Sequence, residues 1–250
     1  MKFDAIAQNI SGDDYTRQRL QPRPHDLHYL PLRDLRQALE AIATDAHVKV
    51  LDYGCGSSPY RPLFPQAEYR RADFLETGKL DYQLAGDARV PEKDAQFDLV
   101  LSTQVLEHVP EPQVYLSECF RLLKPGGSLF LTTHGVFEDH GCPYDFQRWT
   151  ADGLDRDLLK AGFQNRRIRK LTTGPRAVLF LMGTSLDGFY GRRRTAASLL
   201  FTCYRRLFNR FRPRIHTLAD AQFSHCGVVP ATEPGHRLYI GLAAHAERPR

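Results

Sequence analysis

The nonapeptide Val50-Leu51-Asp52-Tyr53-Gly54-Cys55-Gly56-Ser57-Ser58 constrains this chain more than any other segment. A short apolar run stops at a carboxylate and enters a loop with two closely spaced glycines. Glycine lets backbone turn through conformations that other residues resist, and lets a ligand lie against it. A helix N-terminus after such a loop presents unpaired N–H groups to an anion or a polar ligand. In open α/β sheets, ligands bind at the carboxyl ends of the strands. The segment therefore predicts a strand–loop–helix ligand cradle, and Pro59 is already out of place for a dinucleotide. A pyrophosphate loop needs G-x-G-x-x-G; here proline stands where the third glycine would fall.

The rest of the chain alternates helix and strand signals. Leu32, Leu35, Leu39 and Ile42 repeat at helical spacing, which predicts an amphipathic helix over 31–44. Strands are expected at 48–51, 68–74, 82–84, 97–102, 128–133, 164–172 and 237–246. A helix is expected over 112–123, stopped at Lys124-Pro125-Gly126-Gly127, and another over 151–161 behind the capping Thr150. This alternation predicts a doubly wound, Rossmann-like α/β fold: a seven-stranded, mostly parallel sheet with helices on both faces. Residues 31–173 and 236–250 are read as its core, and 1–30 as an N-terminal arm or lid. Residues 174–235 form a basic helical insertion before the last strand, where a short loop would be usual.

Composition excludes several classes. The 250 residues include five cysteines with no C-x-x-C pair, so neither a disulfide framework nor a zinc ribbon is expected; no metal-ligand spacing is legible. Residues 1–14 lack a basic start followed by an apolar core, and the most apolar run, 177–183, is too short to span a bilayer, which takes about 20 residues. The reading is of a cytoplasmic protein.

Further motifs narrow the ligand. Asp73-Phe74 closes the second strand, about 20 residues beyond the first, where a carboxylate can bond both hydroxyls of a ribose. Asp87 lies in Gly86-Asp87-Ala88, with room beside Ala88 for a flat ring. Together VLDYGCG (50–56), GDARVP (86–91), FDLVLSTQVLEHV (97–109) and RLLKPGG (121–127) resemble the class I S-adenosylmethionine-dependent methyltransferases, and among them the type 11-like family. The resemblance runs from about 48 to 163. It implies S-adenosylmethionine as cofactor and S-adenosylhomocysteine as product. Asp52, Gly54, Cys55 and Gly56 would line the methionine end, Asp73 and Phe74 the ribose, Asp87 and Ala88 the adenine, and Ser102, Thr103 and Gln104 the sulfonium. Glu107 and His108 would brace the loop. Ser58 departs from the family, which often has a third glycine there.

The segment His140-Gly141-Cys142-Pro143-Tyr144-Asp145-Phe146-Gln147-Arg148-Trp149-Thr150 resembles an element of methyltransferases found among glycan-modifying enzymes. It predicts an acceptor site from Tyr144, Asp145, Arg148 and Trp149, with His140 as first and His134 as second catalytic candidate. An imidazole titrates near neutrality and suits removal of an acceptor proton. Base-modifying amino-methyltransferases would show N/D-P-P-Y/F where this chain reads Ser-Thr-Gln-Val-Leu-Glu, which favours an oxygen or carbon acceptor.

Between Asp187 and Asp220 there is no acidic residue but eight arginines, from Arg192 to Arg214. Leu200, Tyr204, Leu207, Phe208 and Phe211 share a helical face. The pattern is read as a contact with an anionic membrane surface through 192–214, as a cap over the acceptor pocket whose arginines grip phosphate or carboxylate, or as a helix packed on its own sheet. The expected function is methyl transfer to a small-molecule or glycan-like acceptor, lipid- or phosphate-linked. The rivals are a cofactor-binding module without turnover, and an RNA methyltransferase; the latter lacks a base-stacking platform.

Overall fold

The computed structural model describes residues 12–75, 78–85, 88–188 and 196–250. In chain order the elements are α1 (Asp13–Leu20), α2 (Tyr29–Glu40), β1 (Lys49–Tyr53), β2 (Glu68–Asp73), β3 (Tyr82–Gln83), β4 (Phe97–Thr103), α3 (Pro112–Leu122), β5 (Leu123–His134), α4 (Ala151–Lys160), β6 (Gln164–Thr173), α5 (Gly174–Gly188), α6 (Ala196–Gln222), β7 (Val228–Pro230) and β8 (Tyr239–Glu247). The strands form one sheet in the order β3-β2-β1-β4-β5-β8-β6-β7. β1 to β5 are parallel; β8 runs antiparallel between β5 and β6, and β7 is antiparallel to β6.

The side-chain period of two sends alternate strand residues to opposite faces. Leu51, Tyr53, Val100, Leu129 and Leu131 join one core with Tyr115, Leu116 and Cys119 of α3 and Leu154 and Leu158 of α4. Val50, Leu99, Leu101 and Phe130 join the other with Leu32, Leu35 and Leu39 of α2. Both faces are thus covered, as parallel sheets require. Pro112 opens α3 at its first turn, and Thr150 Oγ1 accepts from the Gly153 N–H at the start of α4.

The sheet has eight strands rather than the expected seven. The addition is β7, which lies in the segment expected to be wholly helical and pairs along β6 from Leu171 to Arg169. Three residues with a terminal proline suit a sheet edge, where a missing N–H costs little. β5 also begins earlier than Ser128: Leu123 already pairs with Phe97, and the register shifts before Leu99 meets Ser128. Lys124 to Gly127 therefore form an irregular lead-in to the strand rather than a break before it.

The insertion is tied to the core by buried charges. Arg176 of α5 is fully buried and donates to Asp34 of α2 through Nη2 (2.5 Å) and Nε (3.2 Å). Its Nη1 reaches Asp220 of α6 at 2.6 Å. Thr172 donates to the same Asp34 carboxylate, and the Tyr29 hydroxyl to Asp220. One guanidinium thus links α2, α5 and α6.

Candidate functional site

The cradle predicted from 50–58 lies at the carboxyl end of β1, but the helix expected after its loop is reduced to one 3₁₀ turn, Arg61–Leu63. Gly54 has φ +78°, and a Cβ there would stand 2.5 Å from Val105, so any side chain would push the β4 loop away. Ser58, the departure from the glycine pattern, adopts φ +54°. The serine follows the course a glycine would take, at a steric cost, and its hydroxyl accepts from Arg71 Nε at 2.8 Å. Asp52 is buried below the loop and accepts from the Tyr69 hydroxyl at 2.7 Å. Burial pushes its carboxyl up to about 6, against the opposing bonds from Tyr69 and Ser58.

Asp73 closes β2 beside this loop. Its Oδ2 accepts from the Gly56 N–H (2.7 Å) and its Oδ1 from the Leu75 N–H (2.9 Å). Each carboxylate oxygen has two lone pairs, so each keeps acceptor capacity for a ligand. Burial raises the Asp73 pKa. Phe74 beyond it is 48% exposed at the rim. Cys55 is buried and its thiol is pushed up, first by burial, which suits packing rather than nucleophilic chemistry. Asp87 lies outside the described residues. Ala88 sits at φ +57°, its carbonyl taken by the Tyr53 hydroxyl.

After β4 the three polar residues part company. Ser102 is fully buried and shares a 2.9 Å hydrogen bond with Tyr115, whose ring stacks on Tyr53; it faces the core. Thr103 and Gln104 are only partly buried. Gln104 has φ +55°, with its N–H donated to Thr132. Non-glycine residues held in that region concentrate at functional sites. Its side chain accepts from Arg19 of α1 (3.0 Å), and Thr16 of α1 meets Ser57 (2.9 Å). The arm thus reaches both ends of the cradle. No sequence signal marked Thr16 or Arg19, because polar residues on a short helix carry no periodic pattern.

Above the ends of β4 and β5 lies a cluster of histidines. His134, the last residue of β5, is buried and stacks on Phe137 at 4.0 Å. Its Nε2 is 3.2 Å from Glu107 Oε1, and Glu107 Oε2 accepts from Thr133 at 2.8 Å. Burial lowers the His134 pKa well below the ordinary imidazole value. His140 arrives from the following loop, its ring centroid 4.9 Å from that of His134. Burial, then the neighbouring His108, lowers its pKa as well. Both rings are therefore neutral at pH 7.

The loop carrying His140 is braced by an ion pair between two of the expected acceptor-site residues. Arg148 holds Asp145 through two contacts of 2.6 and 2.8 Å, and Asp145 Oδ2 accepts from the His140 N–H at 2.9 Å. The Arg148 hydrogen bonds keep the Asp145 carboxyl well below the usual range. Trp149 packs in the main core and donates to Asp157, so it anchors the loop from beneath. Tyr144 and Phe146 are the exposed aromatics of the segment, at 39% and 47%.

The family model for a methyltransferase domain matches residues 51–131. A ubiquinone biosynthesis O-methyltransferase of Pseudomonas aeruginosa is 33% identical over a stretch covering 42% of this chain and 54% of that protein, so the chain spans about half the length of this curated relative. Among solved structures, a SAM-dependent methyltransferase from Thermotoga maritima superposes with a TM-score of 0.55 at 14% identity, covering 94% of this chain and 95% of that one. The [4+2]-cyclase SpnF superposes at 0.53 with 18% identity, over 88% and 82%. At such identities the structural likenesses establish the fold alone. Residues 51–131 thus match the model of a methyltransferase domain, and the sheet around them has the fold of the solved methyltransferases.

Proposed function

We propose that the chain transfers the methyl group of S-adenosylmethionine to a hydroxyl oxygen of a small molecule. The observation that carries this reading is the continuity of two half-sites. The cradle of Asp52, Gly54, Gly56 and Asp73 opens toward Gln104, and the neutral His134 and His140 stand above the next strand ends. A methyl donor on the first places its sulfonium beside the second. Holding donor and acceptor in line supplies much of such a rate. His140 and His134 promote loss of the acceptor's proton, while Tyr144 and the Asp145–Arg148 pair line the approach. The O-methyltransferase relatives favour oxygen as the receiving atom. The cyclase with the same fold is the reason to demand turnover rather than infer it. The test is transfer of labelled methyl from S-adenosylmethionine to a panel of phenolic and glycan hydroxyls. Turnover that falls about 10²-fold or more in His140→Ala supports the proposal; labelled cofactor that binds and is never consumed favours the binding-module rival.

Asp52 makes cofactor affinity pH-dependent. Its carboxyl, pushed up to about 6 by burial, must be ionised to attract the cationic methionine end. Protonation competes with binding, so affinity is expected to fall as pH drops from 7 to 5, approaching tenfold per unit below 6. Calorimetry at the two pH values checks this, and a flat profile contradicts the role given to Asp52.

The insertion is proposed to rest on an anionic membrane surface. Of the apolar face read from sequence, only Phe208 is buried; Leu200 is 72% and Leu207 58% exposed, with Tyr204 and Phe211 also open. Arg206, Arg210 and Arg214 are exposed on the same helix. Residues 192–195 of the basic run lie outside the described residues, where no helix is long and apolar enough to cross a membrane. An amphipathic basic helix gains from both apolar burial and anionic lipid. Co-sedimentation with phosphatidylserine vesicles is expected, weakened by salt and by Arg206→Glu with Arg210→Glu; equal binding to neutral vesicles, or none, argues against it.

A further inference from the structure

Three side chains above the cofactor cradle form a cage that the hydrogen-bond network leaves open. One donor atom each of Glu107, His134 and His140 lies within 4.8 Å of the others. Glu107 Oε1 is fully buried and accepts no hydrogen bond, although it faces His134 Nε2 at 3.2 Å. A buried carboxyl oxygen without a partner is costly unless it is protonated or meets a cation, and burial raises the Glu107 pKa. No neighbouring cation donates a hydrogen bond to it: Arg148 stands nearby but directs Nη1 and Nη2 to Asp145 and to backbone carbonyls. His108 is adjacent to His140, with ring centroids 4.7 Å apart, but its Nδ1 engages the Tyr144 carbonyl and it does not join the three.

From this geometry we infer that Glu107, His134 and His140 bind a first-row divalent cation, and that the two histidines act on the acceptor's proton through it. The inference rests on the proposed methyl transfer for its consequence, not for the site itself. The donor set is chemically specific. Two imidazoles and one carboxyl group suit zinc, iron, manganese or cobalt, whereas magnesium and calcium favour all-oxygen shells. Three protein ligands leave positions open, as catalytic rather than structural sites do.

The surroundings already hold the ligands in the required form. His140 Nδ1 lies 3.2 Å from the Glu138 carbonyl, which can only accept, so Nδ1 carries the proton and Nε2 keeps its lone pair. Thr133 pins the second oxygen of Glu107. Such outer contacts fix the tautomer and direction of metal ligands. Bonds of about 2.0–2.2 Å require the cage to contract by roughly 1 Å. His140, on a loop and with a 30% exposed side chain, is the ligand free to move.

The chemical consequence is direct. An acceptor hydroxyl bound at an open position becomes more acidic and releases its proton to solvent. Its oxygen lone pair forms the bond to the methyl carbon. The methyl–sulfur bond breaks with its electron pair returning to sulfur, leaving a neutral thioether and a methyl ether. A free imidazole base is then unnecessary.

The test is titration of chelator-treated full-length protein with cobalt(II) chloride, read by visible absorption, with zinc chloride as competitor. One equivalent per chain is expected, displaced by zinc. Binding should weaken at least tenfold, about 1.4 kcal/mol, in His140→Ala and in Glu107→Gln. His140→Ala alters an exposed loop and keeps the test valid if the buried carboxylate variant fails to fold. No saturable cobalt binding, or undiminished binding in His140→Ala, overturns the inference. S-adenosylhomocysteine binding measured on the same samples separates the two proposals. Cofactor without metal removes only the cation site, and metal without cofactor removes the methyltransferase reading.

Discussion

Replacing Arg176 by alanine is expected to cost about 3–5 kcal/mol of folding stability, the largest effect of any single substitution in this protein. The side chain is fully buried, and its removal leaves Asp34, also fully buried, as an uncompensated carboxylate. Asp220 loses one of its two cations and keeps Arg33 at 3.0 Å and the Tyr29 hydroxyl. The damage should spread to α5, which the Arg176 guanidinium ties to both α2 and α6. Denaturant unfolding of Arg176→Ala checks the magnitude. The double variant Arg176→Met with Asp34→Asn should recover much of the loss, since a neutral pair does not pay for an isolated buried charge. A single variant within about 1 kcal/mol of the parent would mean that the linkage is peripheral.

The second large effect concerns the cofactor. Asp73→Ala is expected to weaken S-adenosylhomocysteine binding about 100-fold, or about 2.7 kcal/mol. Two losses add. The ligand loses a charged acceptor, worth about 1.5–3 kcal/mol in such a site. The loop also loses its support, because the same carboxylate accepts from the Gly56 and Leu75 N–H groups. Asp73→Asn separates them: an amide oxygen keeps one loop bond but offers N–H groups where the other acceptor was. Calorimetry should order affinity as parent, then Asn, then Ala. An alanine variant within threefold of the parent would take the ribose away from Asp73.

Much of this architecture was legible because its signals are local. The stop at Asp52, the glycines and the motif carboxylate Asp73 each occupy one short segment, and the structure brings them together within the cradle. Even the Ser58 departure proved conformationally conservative, since the backbone takes the left-handed turn regardless. Non-local features were not legible. β7 is three residues of an edge strand whose only partner is β6, sixty residues earlier in the chain. The arm contacts at Ser57 and Gln104 link positions 41 and 85 residues apart. Glu107, His134 and His140 come from the β4 loop, the end of β5 and the loop beyond it, with no spacing that marks a ligand set. The basic helix was legible as amphipathic, but whether its apolar face met the protein's own sheet depended on packing. The sheet is already covered there by α2 and α5, and most of that face stays open.

The central claim is that the 50–58 cradle with Asp73 is a site for S-adenosylmethionine. Calorimetric titration of the intact protein with S-adenosylhomocysteine tests it most directly, because the product binds without requiring any acceptor. Saturable binding of one equivalent per chain is expected, weakened about 100-fold in Asp73→Ala and weakened in the parent below pH 6. Folded protein that takes up neither S-adenosylhomocysteine nor S-adenosylmethionine would contradict it.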